Sequence, residues 1–184
     1  MAYLVMARLG RLVTSLPMSL ITLYGSQLQG QGLMSLAFSQ SGQSPDLVAP
    51  TQHVAARGGC TVAVVNDTSS PLAEAARWVL PLAAGPEASV AATKSYSTQL
   101  VAGARLVAHW QADATLLRAL DDLPPALQQA LTLDWQPMVD ALTGADRLYV
   151  IGRGTGLAVA MEAALKLKEV CGLQAEAFSG AELR

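Results

Sequence analysis

The chain has 184 residues, 52% of them hydrophobic and 14% charged, and carries a formal net charge of −2. The length fits one domain more comfortably than two, at about 100–200 residues per domain, and the apolar fraction suits a buried α/β core and excludes a disordered chain. With no broad basic surface, nucleic acid and anionic membrane are excluded as main partners, and any anion must be held locally by backbone N–H groups, hydroxyls and a few lysines.

Residues 2–9 read as the tail of a helix that stops at Gly10. Arg8 and Arg11 interrupt MAYLVMARLGRLV, no uninterrupted run reaches the roughly 20 residues of a membrane span, and no cleavage-like site follows. A cytoplasmic protein with no membrane partner is expected. SLITLYG (19–25) reads as a short strand, and LMSLAF (33–38) as a fully buried strand of a parallel sheet. Ser44 then offers a helix N-cap, Pro45 a first helical residue and Asp46 a charge suited to the helix dipole. The helix runs past an awkward Pro50 to Gly58-Gly59. TVAVVN is the next buried strand, PLAEAAR a short helix, and WVLPLAA a third strand bent by Pro81. Residues 89–111 read as one long apolar helix, buried between layers or at a subunit contact.

Residues 113–143 are helical and more polar, broken by Pro124-Pro125 and Pro137, and read as a linker. RLYVIG (147–152) opens a new strand, a Gly152-x-Gly154-x-Gly156 turn follows, and LAVAMEAALKLKEVCG is an amphipathic helix ending at Gly172. Strands alternating with helices imply a parallel sheet. The expected division is a first α/β domain at 1–112, a helical linker at 113–143, and the start of a second domain at 144–184 with one strand and one helix. Both ends read as cut, so a fragment of something longer is expected. Cys60 and Cys171 sit in apolar surroundings and read as buried free thiols, consistent with a reducing cytosol. No C-x-x-C spacing is present, and His53 and His109 are isolated from other ligand types, so neither metal nor cofactor is expected.

Three clusters could carry chemistry. Ser39-Gln40-Ser41-Gly42-Gln43-Ser44 lies between the buried strand and its helix, where parallel sheets bind ligands and helix N-termini hold anions. It reads equally as a phosphate cradle or as a capped turn with serines chosen for turn chemistry. The Gly152–Gly156 cluster resembles a dinucleotide fingerprint but lacks the G-x-G-x-x-G spacing, and Glu176 is an ambiguous acidic partner. Glu162, Lys166 and Glu169 share one helical face. Glu162 reads as part of a surface ion-pair ladder, while Glu169 beside Lys166 reads either as more of that ladder or as a base poised next to a carbonyl carbon.

Taken together, SQSGQSPDL (39–47), GPEASVAATKSYSTQL (85–100) and ALKLKEVCGLQAEAFSGAELR (164–184) resemble the sugar isomerase (SIS) family, in that order and over nearly the whole chain from about residue 8. The resemblance implies a flavodoxin-like α/β fold, a five-stranded parallel sheet between helices, in a tandem-SIS enzyme acting on hexosamine 6-phosphates. It implies phosphate contacts from Ser39, Gln40, Ser41 and Ser44, and a backbone contact to the sugar at Val90. It further implies Glu169 as the base that shuttles a proton between C1 and C2, with Lys166 beside it, and a homodimer. The implied activity interconverts glucosamine 6-phosphate and fructose 6-phosphate, as in stand-alone glucosamine-6-phosphate deaminases, which the SQSG-x-SPDL variant and LDW (133–135) resemble more. The runner-up is the isomerase half of a glutamine–fructose-6-phosphate aminotransferase. A sugar-phosphate-sensing regulator is a third reading, though it has no need of the Lys166/Glu169 pair. The family's first strand with its glycine/serine turn, a histidine after Glu-Leu-Arg and a C-terminal lysine all fall outside this chain, so the chain by itself is expected to be inactive.

Overall fold

Strand β2 (Cys60–Val65) is the most deeply buried part of the chain, with Thr61, Ala63 and Val65 fully inaccessible. That burial follows from its place in the middle: the computed structural model, which describes residues 1–89 and 91–182, puts β1 (Met34–Ser39) and β3 (Trp78–Pro81) on either side of it, both parallel. A central parallel strand is covered on both faces, so it carries a continuous CTVAVV run and no alternation. Register is direct, Met34 opposite Cys60 through Ser39 opposite Val65, so the strands' carboxyl ends fall at one edge of the sheet.

Two compact units divide the chain, one from Met1–Ala2 and Leu12–Val107, the other from Tyr3–Arg11 and the residues from Ala108 onward. In the first unit, α3 (Pro45–Ala56) and α4 (Pro71–Ala75) cover one face of the sheet. Ala37, Ala63, Val65, Leu72 and Ala73 form the core there, with Leu47 and Val48 packed on it. The other face, Val62, Val64 and Leu82, is packed by Ala102 of α5 (Lys94–Gln111). Helices on both faces of a parallel sheet are the flavodoxin-like arrangement that the resemblance implies, with three strands among the described residues of this unit. Helix α1 (Ala2–Leu9) stops at Gly10, which adopts φ 62.

Two local readings need correction. SLITLYG forms no strand; Ser19–Thr22 is a single helical turn, α2. Short apolar runs do not separate strand from helix by periodicity. Helix α5 begins at Lys94 instead of Ser89, and the described residues from Leu82 to Thr93 are irregular, with Ala83 and Gly85 at positive φ. In 113–143 the helical run breaks just before the prolines, as expected, and each proline opens the next helix: after α6 (Ala114–Asp121), Pro124-Pro125 stand in the first turn of α7 (Leu123–Ala130) and Pro137 in that of α8 (Gln136–Leu142). Proline is tolerated there because first-turn N–H groups have no intrahelical acceptor.

The second unit holds a further correction. Beside β4 (Arg147–Gly152) lies a second, parallel strand, β5 (Gln174–Ser179), where the sequence reading gives 144–184 one strand and one helix. Helix α9 (Gly156–Cys171) packs on both strands through the buried Ala160 and Ala164, with Ala175 of β5 fully inaccessible. Alternation of alanine with polar residues in QAEAFS was the available signal, but its alanines lack the branched side chains that mark a strand. Cysteine burial also differs from expectation: Cys60 is half-buried and Cys171 exposed, both as free thiols.

Candidate functional site

At the carboxyl end of β1 the chain turns through Gln40–Gln43 and enters α3 at Pro45. Ser39 Oγ accepts the Gly42 N–H at 3.0 Å, and Ser41 Oγ accepts the Gln43 N–H at 3.3 Å. A hydroxyl that accepts from the backbone keeps its own O–H to donate, so these bonds shape the loop and leave donors for an anion. Ser44 occupies the N-cap position with extended backbone, φ −67 and ψ 118, yet its hydroxyl makes no capping bond. The capping role expected of that hydroxyl is therefore not found, and its carbonyl instead accepts from Leu47 and Val48 at 3.0 and 3.1 Å. Ser39, Gln40, Ser41 and Ser44 are all half-buried and lie in one turn, at the positive end of a 12-residue helix.

Gly42 is the residue that makes this turn possible. It adopts φ +64, and a Cβ on it would sit 2.1 Å from Ser70 Oγ and 2.5 Å from Ser70 Cβ. Ser70 is fully buried and caps α4, its Oγ accepting from Ala73 N–H at 3.4 Å. The Gly42 carbonyl accepts from Leu72 N–H at 3.1 Å, so the loop is fastened to the start of α4. Beyond β2, Asp67 accepts both the N–H and the hydroxyl of Ser69, at 2.9 and 2.6 Å, and the Ser69 hydroxyl chiefly holds the carboxyl below its usual range.

The segment leaving β3 is fastened at both ends. Asn66 Oδ1 accepts from Ala84 N–H and its Nδ2 donates to the Gly85 carbonyl, each at 2.8 Å. Further on, Glu87 accepts from Ser95 N–H at 2.9 Å and from Ser95 Oγ at 3.0 Å, capping the first turn of α5 from eight residues upstream. The Ser95 N–H is the main cause that holds the Glu87 carboxyl below its usual range. Val90, the expected sugar contact in this segment, lies outside the described residues.

In the second unit, Lys166 stands between two carboxylates of its own helix. Its Nζ is 3.0 Å from Glu162 and 3.5 Å from Glu169. The hydrogen bond to Glu162 is the first cause that raises the Lys166 pKa, which keeps it an ammonium and unsuited to act as a neutral nucleophile. The Glu169 side chain is 46% exposed against 20% for Glu162, so Glu169 is the more accessible carboxylate. The ion pair expected of Glu162 is present, at the i,i+4 spacing read from the sequence, and Glu162 is the nearer of the two partners of Lys166.

Within the Gly152–Gly156 turn, it is Gly152 that serves close packing. A Cβ on Gly152 would meet the Gly156 carbonyl oxygen at 2.5 Å and Leu157 Cα at 2.8 Å. Glu176 sits mid-strand opposite Tyr149 and faces Lys168 at 3.8 Å, away from the strand's carboxyl end where a dinucleotide site would need it. Among the described residues, no group of three His, Cys, Asp or Glu side chains could hold a metal ion, and no helix is long and apolar enough to cross a membrane.

Comparison with known proteins adds to this geometry. The SIS domain family matches residues 10–108. A glutamine–fructose-6-phosphate aminotransferase (isomerizing) from Symbiobacterium thermophilum is 39% identical over 173 residues, which are 88% of this chain and 28% of that protein. Among solved structures, a protein from Silicibacter pomeroyi provisionally described as a phosphosugar isomerase superposes with a TM-score of 0.95 at 44% identity, over 99% of this chain and 56% of that one. The C-terminal domain of the glucosamine-fructose-6-phosphate aminotransferase from Francisella tularensis superposes with a TM-score of 0.85 at 25% identity, over 99% and 55%. The chain thus spans little more than a quarter of the curated relative and just over half of each structure.

Proposed function

Because the chain belongs to the SIS domain family, we propose that it forms part of a phosphosugar isomerase or deaminase that interconverts glucosamine 6-phosphate and fructose 6-phosphate. The observation that carries this reading is the turn after β1, where Ser39 and Ser41 accept from the backbone and keep O–H donors at the start of α3. Ser39, Gln40, Ser41 and Ser44 bind the phosphate, and the Val90 backbone contacts the sugar. Glu169 takes the proton from the carbon beside the carbonyl or imine, leaving an enediol or enolamine, and returns it to the neighbouring carbon. Starting from glucosamine 6-phosphate this yields the C2 imine, which adds water and releases ammonia to leave fructose 6-phosphate. Lys166 stays protonated and supplies a fixed positive charge beside Glu169. Holding the phosphate fixes the distal end of the open-chain sugar, so less orientational freedom is lost at the reacting carbons.

A second reading, the isomerase half of a glutamine-dependent aminotransferase, is favoured by the 39% identity to a protein of that name. Ammonia release from glucosamine 6-phosphate by a longer protein containing this chain tests the first reading; glutamine-dependent synthesis without such release selects the second. Titrating this chain with glucosamine 6-phosphate, followed by amide shifts at Ser39–Ser44, tests the cradle by itself. The two free thiols suit a reducing compartment, and the proposed form is a cytoplasmic homodimer.

A further inference from the structure

Asn66 stands one residue beyond the central strand and touches the segments that leave both neighbouring strands. Its backbone N–H donates to the Gln40 carbonyl at 3.3 Å, inside the serine turn. Its side chain accepts from Ala84 N–H and donates to the Gly85 carbonyl, both at 2.8 Å, in the segment that leaves β3. The assignment of oxygen and nitrogen in the amide is settled by these partners, since a backbone N–H only donates and a carbonyl only accepts. Between β3 and Ala84 lies Ala83 at φ +52, a conformation that L-residues rarely hold and that persists only where the surroundings impose it. Leu82 N–H to the Val65 carbonyl at 2.8 Å fixes one side of Ala83, and the Asn66 amide fixes the other.

We infer that Asn66 is a positioning residue for phosphosugar binding: its side-chain amide sets the segment after β3 while its backbone N–H holds the Gln40 carbonyl of the phosphate turn, so that one residue fixes both walls of the site. This rests on the reading of Ser39–Ser44 as the phosphate cradle. Asparagine is required over its isostere. Aspartate would keep the acceptor for Ala84 N–H, but would set a carboxylate oxygen against the Gly85 carbonyl and add a negative charge beside the anion's turn.

The test titrates this chain and its variants with inorganic phosphate and with glucosamine 6-phosphate, and measures urea stability in parallel. Asn66→Asp and Asn66→Ala should each weaken binding about tenfold, the worth of one lost hydrogen bond or somewhat more. Ala83→Gly relieves the positive φ, so in the double variants it should restore the urea midpoint but leave affinity low. Recovery of affinity along with stability would reduce Asn66 to a structural role and overturn the inference, as would unchanged affinity in both single variants. Asn66→Asp is isosteric, which keeps the test informative if Asn66→Ala fails to fold. Ser41→Ala and Ser44→Ala report on the cradle independently: if the unmodified chain binds neither ligand, the cradle reading falls and this inference with it.

Discussion

Replacing Gly42 by alanine separates two effects that the turn combines. The first is backbone strain, since an L-residue at φ +64 is in the left-handed region, which costs roughly 1–2 kcal/mol. The second is overpacking, because the new Cβ would stand 2.1 Å from the Oγ and 2.5 Å from the Cβ of the fully buried Ser70. Forcing a methyl into such a site costs typically about 1–3 kcal/mol. The sum, roughly 2–5 kcal/mol, is a large part of the 5–15 kcal/mol that a domain commonly has. Adding Ser70→Gly removes the clashing atoms and loses only a few tenths of a kcal/mol of capping. The double variant should therefore recover the packing part and keep the strain. Urea unfolding of the chain, the two single variants and the double variant measures each part as a thermodynamic cycle. A Gly42→Ala chain within about 0.5 kcal/mol of the original, the ordinary range for an inconsequential substitution, would refute the argument. So would a double variant no more stable than Gly42→Ala alone, because the clash would then not exist.

Further outcomes rest on the same geometry. Glu162→Gln should lower the Lys166 pKa toward its usual value of 10.5, read by NMR titration of the lysine side chain; an unchanged value would remove Glu162 as the main cause. In a longer active chain, Glu169→Gln should reduce isomerisation and exchange of the substrate's C–H proton with solvent by about 100- to 10,000-fold, the usual worth of a general base, with unfolding barely affected; retained exchange would exclude Glu169 as the base. The Glu87 carboxyl is held below its ordinary 4.5 in the folded chain, so its stabilising effect is fully present above that pH and is lost as pH falls through the folded-state value. Glu87→Gln should accordingly flatten the loss of stability below pH 4.5, and an identical acid profile would show that the Ser95 contacts do not bind the anion preferentially.

Local signals were clearest where they agreed with one another. The buried run of β1, Ser44-Pro45-Asp46 at the entry to α3, and Gly58-Gly59 at its exit all point to a strand, a turn and a helix. The start of α5 was harder because its carboxylate cap arrives from Glu87, eight residues away, although Thr93 directly before Lys94 marks the boundary once it is sought. Strand β5 escaped because alanine is weakly typed, and α2 was misread because four apolar-leaning residues fit either period. For the candidate site, Ser39, Gln40, Ser41 and Ser44 were legible as a group, but the different tasks of the three serine hydroxyls were not.

Composition, strand-length apolar runs and helix-entry residues are properties of neighbours in the chain, and by themselves they determined an α/β protein with a serine-rich turn behind its first sheet strand. Which groups that turn leans on was decided only in three dimensions. Ser70 against Gly42, Asn66 joining Gln40 to Ala84 and Gly85, and Glu87 reaching Ser95 are contacts between segments 8 to 28 residues apart. A hydrogen bond or a steric contact depends on distance in space, and for Gly42 and Asn66 that distance is set by the register of β1, β2 and β3 rather than by spacing along the chain.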